Sequence, residues 1–201
     1  FVQAIEKKKD EEKARRLQAI IKPFVLRRTK SQVATELPPK SEQIFYCSMS
    51  DEQLEYYERV KSEYRNALLD GAFSGKATQI ALLQGLTKLR QLANHPAMID
   101  QGYDGGSGKF DAAIELMESI IKEGNKVLIF SQFVKHLQLF RDHFEKEKIR
   151  YAYLDGSTSD RNAAVKAFKE ADDIQVFLIS IKAGGVGLNL TEADYVFILD
   201  P

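Results

Sequence analysis

Apolar positions follow two rhythms along this chain. Up to residue 106 they recur every three or four residues; from Ser107 onward, short unbroken apolar runs alternate with helical stretches. In the first part, residues 3–21 carry a charged helical pattern that Pro23 ends, because proline cannot extend a helix. Pro38-Pro39 closes a short segment, Thr29 to Leu37. Ile44-Phe45-Tyr46-Cys47 predicts a strand. Ser50-Asp51-Glu52-Gln53 has the spacing of a capping box, in which Ser50 bonds the Gln53 amide and the Gln53 side chain reaches back. The helix that follows carries Leu54, Tyr57, Val60, Tyr64 and Leu68 on one face. A second helix repeats Leu82, Leu86, Leu89 and Ala93 before Pro96. Gly102 to Gly108 holds four glycines in seven residues and predicts a domain boundary.

Beyond it, a helix with Phe110, Ile114, Met117 and Ile121 leads into Val127-Leu128-Ile129-Phe130. A helix with Leu137, Phe140 and Phe144 leads into Tyr151-Ala152-Tyr153-Leu154. A helix with Ala164, Val165 and Phe168 leads into Val176-Phe177-Leu178-Ile179, and a short loop into Tyr195-Val196-Phe197-Ile198-Leu199. Four apolar strands alternating with helices predict a doubly wound α/β domain whose parallel sheet is covered on both faces. Ligands of such sheets sit at the carboxyl ends of the strands. Those ends here are Ser131-Gln132, Asp155-Gly156-Ser157-Thr158, Ser180 with the glycine-rich run to Asn189, and Asp200-Pro201. Short polar groups and glycines let backbone amides approach an anion closely, although each end by itself also fits tight-turn chemistry.

Composition narrows the class without naming it. Hydrophobic residues make up 44% and charged residues 29% of 201 positions, enough apolar surface for a core and against a disordered chain. No apolar run approaches the roughly 20 residues of a membrane span, and no signal segment is recognisable at the start. One cysteine, Cys47, excludes an internal disulfide framework; with three histidines it argues against a structural zinc site, so no metal is expected. An intracellular chain is the expectation. The zero net charge hides an asymmetry, with 17 basic and 14 acidic residues in 1–106 against 12 and 15 in 107–201. Arg15, Arg16, Lys22, Arg27, Arg28 and Lys30 form a run with no acid among them; it reads as a solvated helix face or as a surface that steers a polyanion.

Several motifs fail on spacing. Gly71 to Lys76 has three residues between its glycines where a phosphate-binding loop needs four, and Ala77 stands where Ser or Thr belongs. Gly102 to Gly108-Lys109 has five, and Phe110 follows. Gly184-Gly185-Val186-Gly187 comes too late in the chain for a dinucleotide fingerprint, with no room for a full helix before Tyr195. Asp51-Glu52 is explained by its helix cap. His136 and His143 lie seven apart on one helix with no partner visible in the sequence. No self-sufficient catalytic apparatus emerges.

The motifs in order carry a resemblance. Pro23-Phe-Val-Leu-Arg-Arg-Thr-Lys30, then Val33 and Leu37-Pro38-Pro39-Lys40, resembles the junction between the two lobes of Swi/Snf-type DNA-translocating ATPases. So does Leu86-Thr-Lys-Leu-Arg-Gln-Leu-Ala-Asn-His-Pro96. Ser107-Gly-Lys109 looks like the start of that family's second RecA-like lobe. Val127 to Phe133 is similar to its fourth helicase motif, Tyr153 to Thr158 with Arg161 to the next, and Leu178 to Leu190 to the fifth. Asp200-Pro201 looks like the approach to the sixth.

The resemblance implies a RecA-like doubly wound sheet at 107–201, a strand plus helical brace at 41–106, and a basic inter-lobe linker at 1–40. It implies that Ser131, Gln132, Gly156, Ser180 and Lys182 contact DNA phosphates, which joins them to Arg27, Arg28 and Lys30 of the basic run as DNA-binding candidates. Gly185, Gly187 and Asn189 would close over ATP, with Mg²⁺, held by a first lobe. Ile181 departs from the family pattern, and Arg161 either serves the site or pairs with Asp155. First-lobe motifs and the sixth motif, with its charge-stabilising arginines, are not among these residues, so this stretch alone is expected to be inactive. The implied partners are double-stranded DNA, a first lobe of the same polypeptide and a DNA-bound protein target, with no membrane. The implied location is on DNA, in cytoplasm, nucleoid or nucleus. Rival readings are a strand-separating or RNA helicase, and a docking module descended from an ATPase.

Overall fold

A computed structural model describes residues 10–26, 28, 33, 40–70, 76–184 and 187–200. It divides into two compact units, Phe1–Phe45 and Tyr46–Pro201. In the first, α1 (Glu11–Ile21) starts on Asp10, whose carboxylate accepts from the Lys13 amide, and gives way to a 3₁₀ turn, Lys22–Phe24, at Pro23. Arg28 is exposed; Arg27 and Lys30 lie outside the described residues.

The second unit opens with a helical pair, α2 (Asp51–Leu69) and α3 (Lys76–Asn94). Gly85 permits their close approach, because a Cβ there would stand 2.8 Å from the Tyr64 ring. Three expectations change here. Residues 44–47 form no strand, and Ile44, Phe45 and Tyr46 are exposed. The capping box is half formed: Ser50 accepts from the Gln53 amide, but the Gln53 side chain turns inward. Fully buried, it donates to the Leu92 carbonyl at 2.8 Å and satisfies the end of α3. The buried stripe of α3 runs through Ala81, Gly85 and Leu92, one position off the expected one, and leaves Leu82 and Leu86 exposed. The glycine-rich stretch 102–108 lies within this second unit.

After it come α4 (Gly108–Lys122), β1 (Val127–Ser131), α5 (Val134–Glu147), β2 (Tyr151–Leu154), α6 (Arg161–Glu170), β3 (Val176–Ser180), the single turn α7 (Ile181–Gly184) and β4 (Tyr195–Ile198). The strands form one parallel sheet in the order β2-β3-β1-β4, with Ser131 of β1 level with Ser180 of β3. Alternation sends Val127, Ile129, Val176 and Leu178 to a face covered by α4 and α5, through Ile114, Met117, Leu137, Phe140 and Phe144. Leu128, Phe177, Ile179, Ala152 and Leu154 face the other way, onto Phe168 of α6 and Ala183. Cover fails only along the edge strand β4, where Tyr195, Val196 and Ile198 are exposed.

Candidate functional site

Because β2, β3 and β1 are neighbours and parallel, their carboxyl ends form one edge. Gly156, Ser180, Lys182, Ser131 and Gln132 all lie on it, although they are spread over 52 positions from 131 to 182. Gly156 is exposed at the tip of its turn, with open space where a Cβ would stand. The turn is held from within: the Asp155 carboxylate accepts from the Ser157 amide at 2.8 Å, the Ser157 hydroxyl at 2.6 Å and the Tyr153 hydroxyl at 2.8 Å. The Ser157 hydroxyl chiefly lowers the Asp155 carboxyl below its ordinary range, and burial with that acceptor pushes Tyr153 up to about 12. Arg161 does not pair with Asp155. Its guanidinium donates to the Ala183 carbonyl and so ties the start of α6 to α7 after β3. Lys182 is exposed.

Ser131 is placed differently from the expectation. It is fully buried, its hydroxyl donates to the Asp200 carboxylate at 3.0 Å and accepts from the Phe133 amide, and it presents nothing to a phosphate. Ser180, also buried, points to the α4–α5 face of the sheet. Of the strand-end side chains, Ser157 and Lys182 are exposed and Gln132 is half-buried.

Asp200 is the centre of a polar cluster that sequence reasoning missed. It accepts from the Gln132 amide at 2.6 Å, from Ser131, and from Asn94 Nδ2 at 3.0 Å. His136 Nδ1 stands 3.5 Å away. Lys109 donates to Asn94 Oδ1 at 2.8 Å and to the Leu199 carbonyl at 3.0 Å, while the Ser107 hydroxyl donates to the Asn94 carbonyl at 2.6 Å. Burial alone would raise the Asp200 carboxyl, but His136 and the donors from Gln132 and Ser131 outweigh it and hold the group below its ordinary range. Burial pushes His136 and Lys109 down. Ser107-Gly108-Lys109 therefore closes a structural lock, since a Cβ on Gly108 would overlap the Ser48 carbonyl. Nothing in the spacing announces this cluster, because Asn94 and Asp200 are 106 residues apart.

Gln132 has a second holder. With its amide oxygen turned toward α3, the orientation that satisfies both groups, it accepts from the two terminal nitrogens of Arg90. Of the nucleotide candidates, Gly185 lies outside the described residues. Gly187 adopts φ +77°, a conformation that favours glycine, and runs with exposed Asn189 along Asn162, Val165 and Lys166 of α6. Among the described residues no cluster of His, Cys, Asp and Glu suits a metal ion, and no helix is long and apolar enough to cross a membrane.

Comparison with known proteins gives this geometry a family. The model of the SNF2-related domain matches residues 1–98, and that of the helicase conserved C-terminal domain matches 108–201. The solved C-terminal domain of a Sulfolobus solfataricus SWI2/SNF2 ATPase is 31% identical. Its match covers 77% of this chain and 69% of that one, with a TM-score of 0.70. The chain belongs to the SWI2/SNF2 ATPase family. The S. solfataricus SWI2/SNF2 ATPase core in complex with double-stranded DNA matches 96% of this chain and 42% of its own, at 32% identity and a TM-score of 0.73. The mouse SWI/SNF-related matrix-associated actin-dependent regulator of chromatin subfamily A member 1 is 35% identical across 95% of this chain. This SWI2/SNF2 chain spans about a fifth of the length of such curated relatives, 19% of the mouse protein. Its parallel sheet is the RecA-like architecture of the family's ATPase core.

Proposed function

We propose that this chain supplies the second motor lobe of an ATP-dependent double-stranded-DNA translocase that remodels protein–DNA complexes. The carboxyl edge of the sheet grips phosphates of the duplex, through Gln132, the turn at Gly156, and Lys182. The observation that carries the reading is the company of those groups. The two carboxylates of the edge, Asp155 and Asp200, are buried against their own donors, while Arg90, Lys135, Arg161 and Lys182 are exposed, with Asp160 as the exposed acid capping α6. Amide and cationic donors suit phosphate oxygens and give affinity without reading sequence. The basic run that includes Arg27, Arg28 and Lys30 adds to the attraction.

ATP and Mg²⁺ belong to a first lobe of the same polypeptide. On this chain Gly185, Gly187 and Asn189 are the residues that meet the nucleotide, and the open backbone at Gly187 fits such an approach. Hydrolysis there supplies the free energy for movement. Serving as a DNA-associated lobe, the chain by itself binds duplex weakly and turns over no ATP.

Fluorescence anisotropy with duplexes of unrelated sequence tests this. Equal affinities are expected, with log K falling against log salt by about 0.9 for each phosphate neutralised. A salt-independent affinity, or strong preference for one sequence, contradicts the reading.

A further inference from the structure

We propose that Arg90 and Asp200 are positioning residues for Gln132, one fixing its side-chain amide and the other its backbone, so that the amide NH₂ is the end presented to a DNA phosphate. The inference rests on the DNA-binding reading above. Guanidinium carries donors only, so of the two ends of the Gln132 amide only the oxygen can accept from Arg90. That leaves the two N–H donors for another acceptor. A phosphate oxygen accepts and never donates, and an unclamped amide would be free to turn its oxygen toward the phosphate and repel it.

The backbone is held as firmly. The Gln132 N–H donates at 2.6 Å to Asp200, and Asp200 cannot swing away because Ser131 Oγ and Asn94 Nδ2 hold the same carboxylate. Arg90 and Asn94 are four residues apart on α3, one helical turn, so a single helix meets the Gln132 side chain directly and its backbone through Asp200. The position of α3 thereby sets the grip of the strand end.

The test is a pair of double-mutant cycles on duplex-DNA affinity of this chain, read by anisotropy with a melting curve for every variant. Gln132→Ala is expected to weaken binding about tenfold, the loss of one hydrogen bond to a charged group. Arg90→Lys keeps the charge and loses the fork, and should weaken binding about threefold to fivefold. In the Gln132→Ala background it should add nothing, and Asp200→Asn should behave alike. Arg90→Lys binding like wild type, or either pair of changes multiplying, overturns the proposal. Amide hydrogen exchange of the unaltered chain gives a second readout for Asp200, whatever Asp200→Asn does to folding. The Gln132 amide should exchange far more slowly than that of exposed Gly156, and fast exchange overturns Asp200's part. If the unaltered chain binds no duplex at all, the DNA reading itself fails and this proposal with it.

Discussion

At the scale of single residues, motif-like positions turn out to hold the fold. Gly108-Lys109 has the look of a phosphate loop and fails on spacing; the structure shows what it does instead. Gly108 touches the Ser48 backbone and Lys109 spans Asn94 and Leu199. Gly108→Ala should overpack this contact and cost about 1–3 kcal/mol, read as a drop of several degrees in Tm. A wild-type Tm would refute the packing role. His136 gives a pH signature. It is buried, and burial holds its pKa below the ordinary 6.5. Between that lowered pKa and 6.5 the unfolded chain binds more protons, so stability is intact above 6.5 and falls as pH falls. His95 is shifted the same way, and the Asp200 carboxyl adds the same sign below its ordinary 3.8. His136→Phe should flatten the loss of Tm between about pH 6.5 and 5, the range in which a histidine rather than a carboxylate titrates. An unchanged slope would remove His136 from the account.

At the scale of elements, what was legible followed from periodicity, and what was not followed from long-range pairing. All four strands lie within a residue of their apolar runs; β1 and β3 are apolar because both their faces are buried, whereas β4 is apolar at an exposed edge. Residues 44–47 have strand composition and make no strand, since a strand also needs a partner edge and composition does not supply one. Gln53 obeys the capping-box spacing, yet its side chain serves the far end of another helix, 39 residues away. On α3, the leucines suggested a stripe through Leu82 and Leu86, whereas small Ala81 and Gly85 face α2 because close helix approach requires small residues there. Leu86→Gln should therefore change stability by no more than about 0.5 kcal/mol, while Leu92→Ala should cost about 2–5 kcal/mol. Urea denaturation of the two variants checks the assignment, and equal losses would restore the leucine stripe. The candidate site divides the same way. Gln132, Gly156 and Lys182 were readable as strand ends, but buried Ser131 and the contributions of Arg90 and Asp200 depend on contacts between distant segments.

At the scale of the whole molecule, the proposed function makes this chain half of a motor. On that proposal the carboxyl edge meets the duplex, the glycine-bearing strip along α6 meets the nucleotide, and a first lobe supplies the rest of the phosphoryl-transfer site. Purified alone, this chain should release no phosphate from ATP above background, with or without duplex; DNA-stimulated turnover would place a complete site in these residues. The central claim is that the carboxyl edge of the sheet, and not its amino edge, meets DNA. Amide hydrogen exchange with and without a short mixed-sequence duplex tests that most directly. The account predicts slowed exchange around Gln132, Gly156 and Lys182, with the amino-edge loops at Gly124–Lys126 and Asp172–Gln175 unchanged. Slowing confined to those amino-edge loops, with the carboxyl edge untouched by duplex, would contradict it.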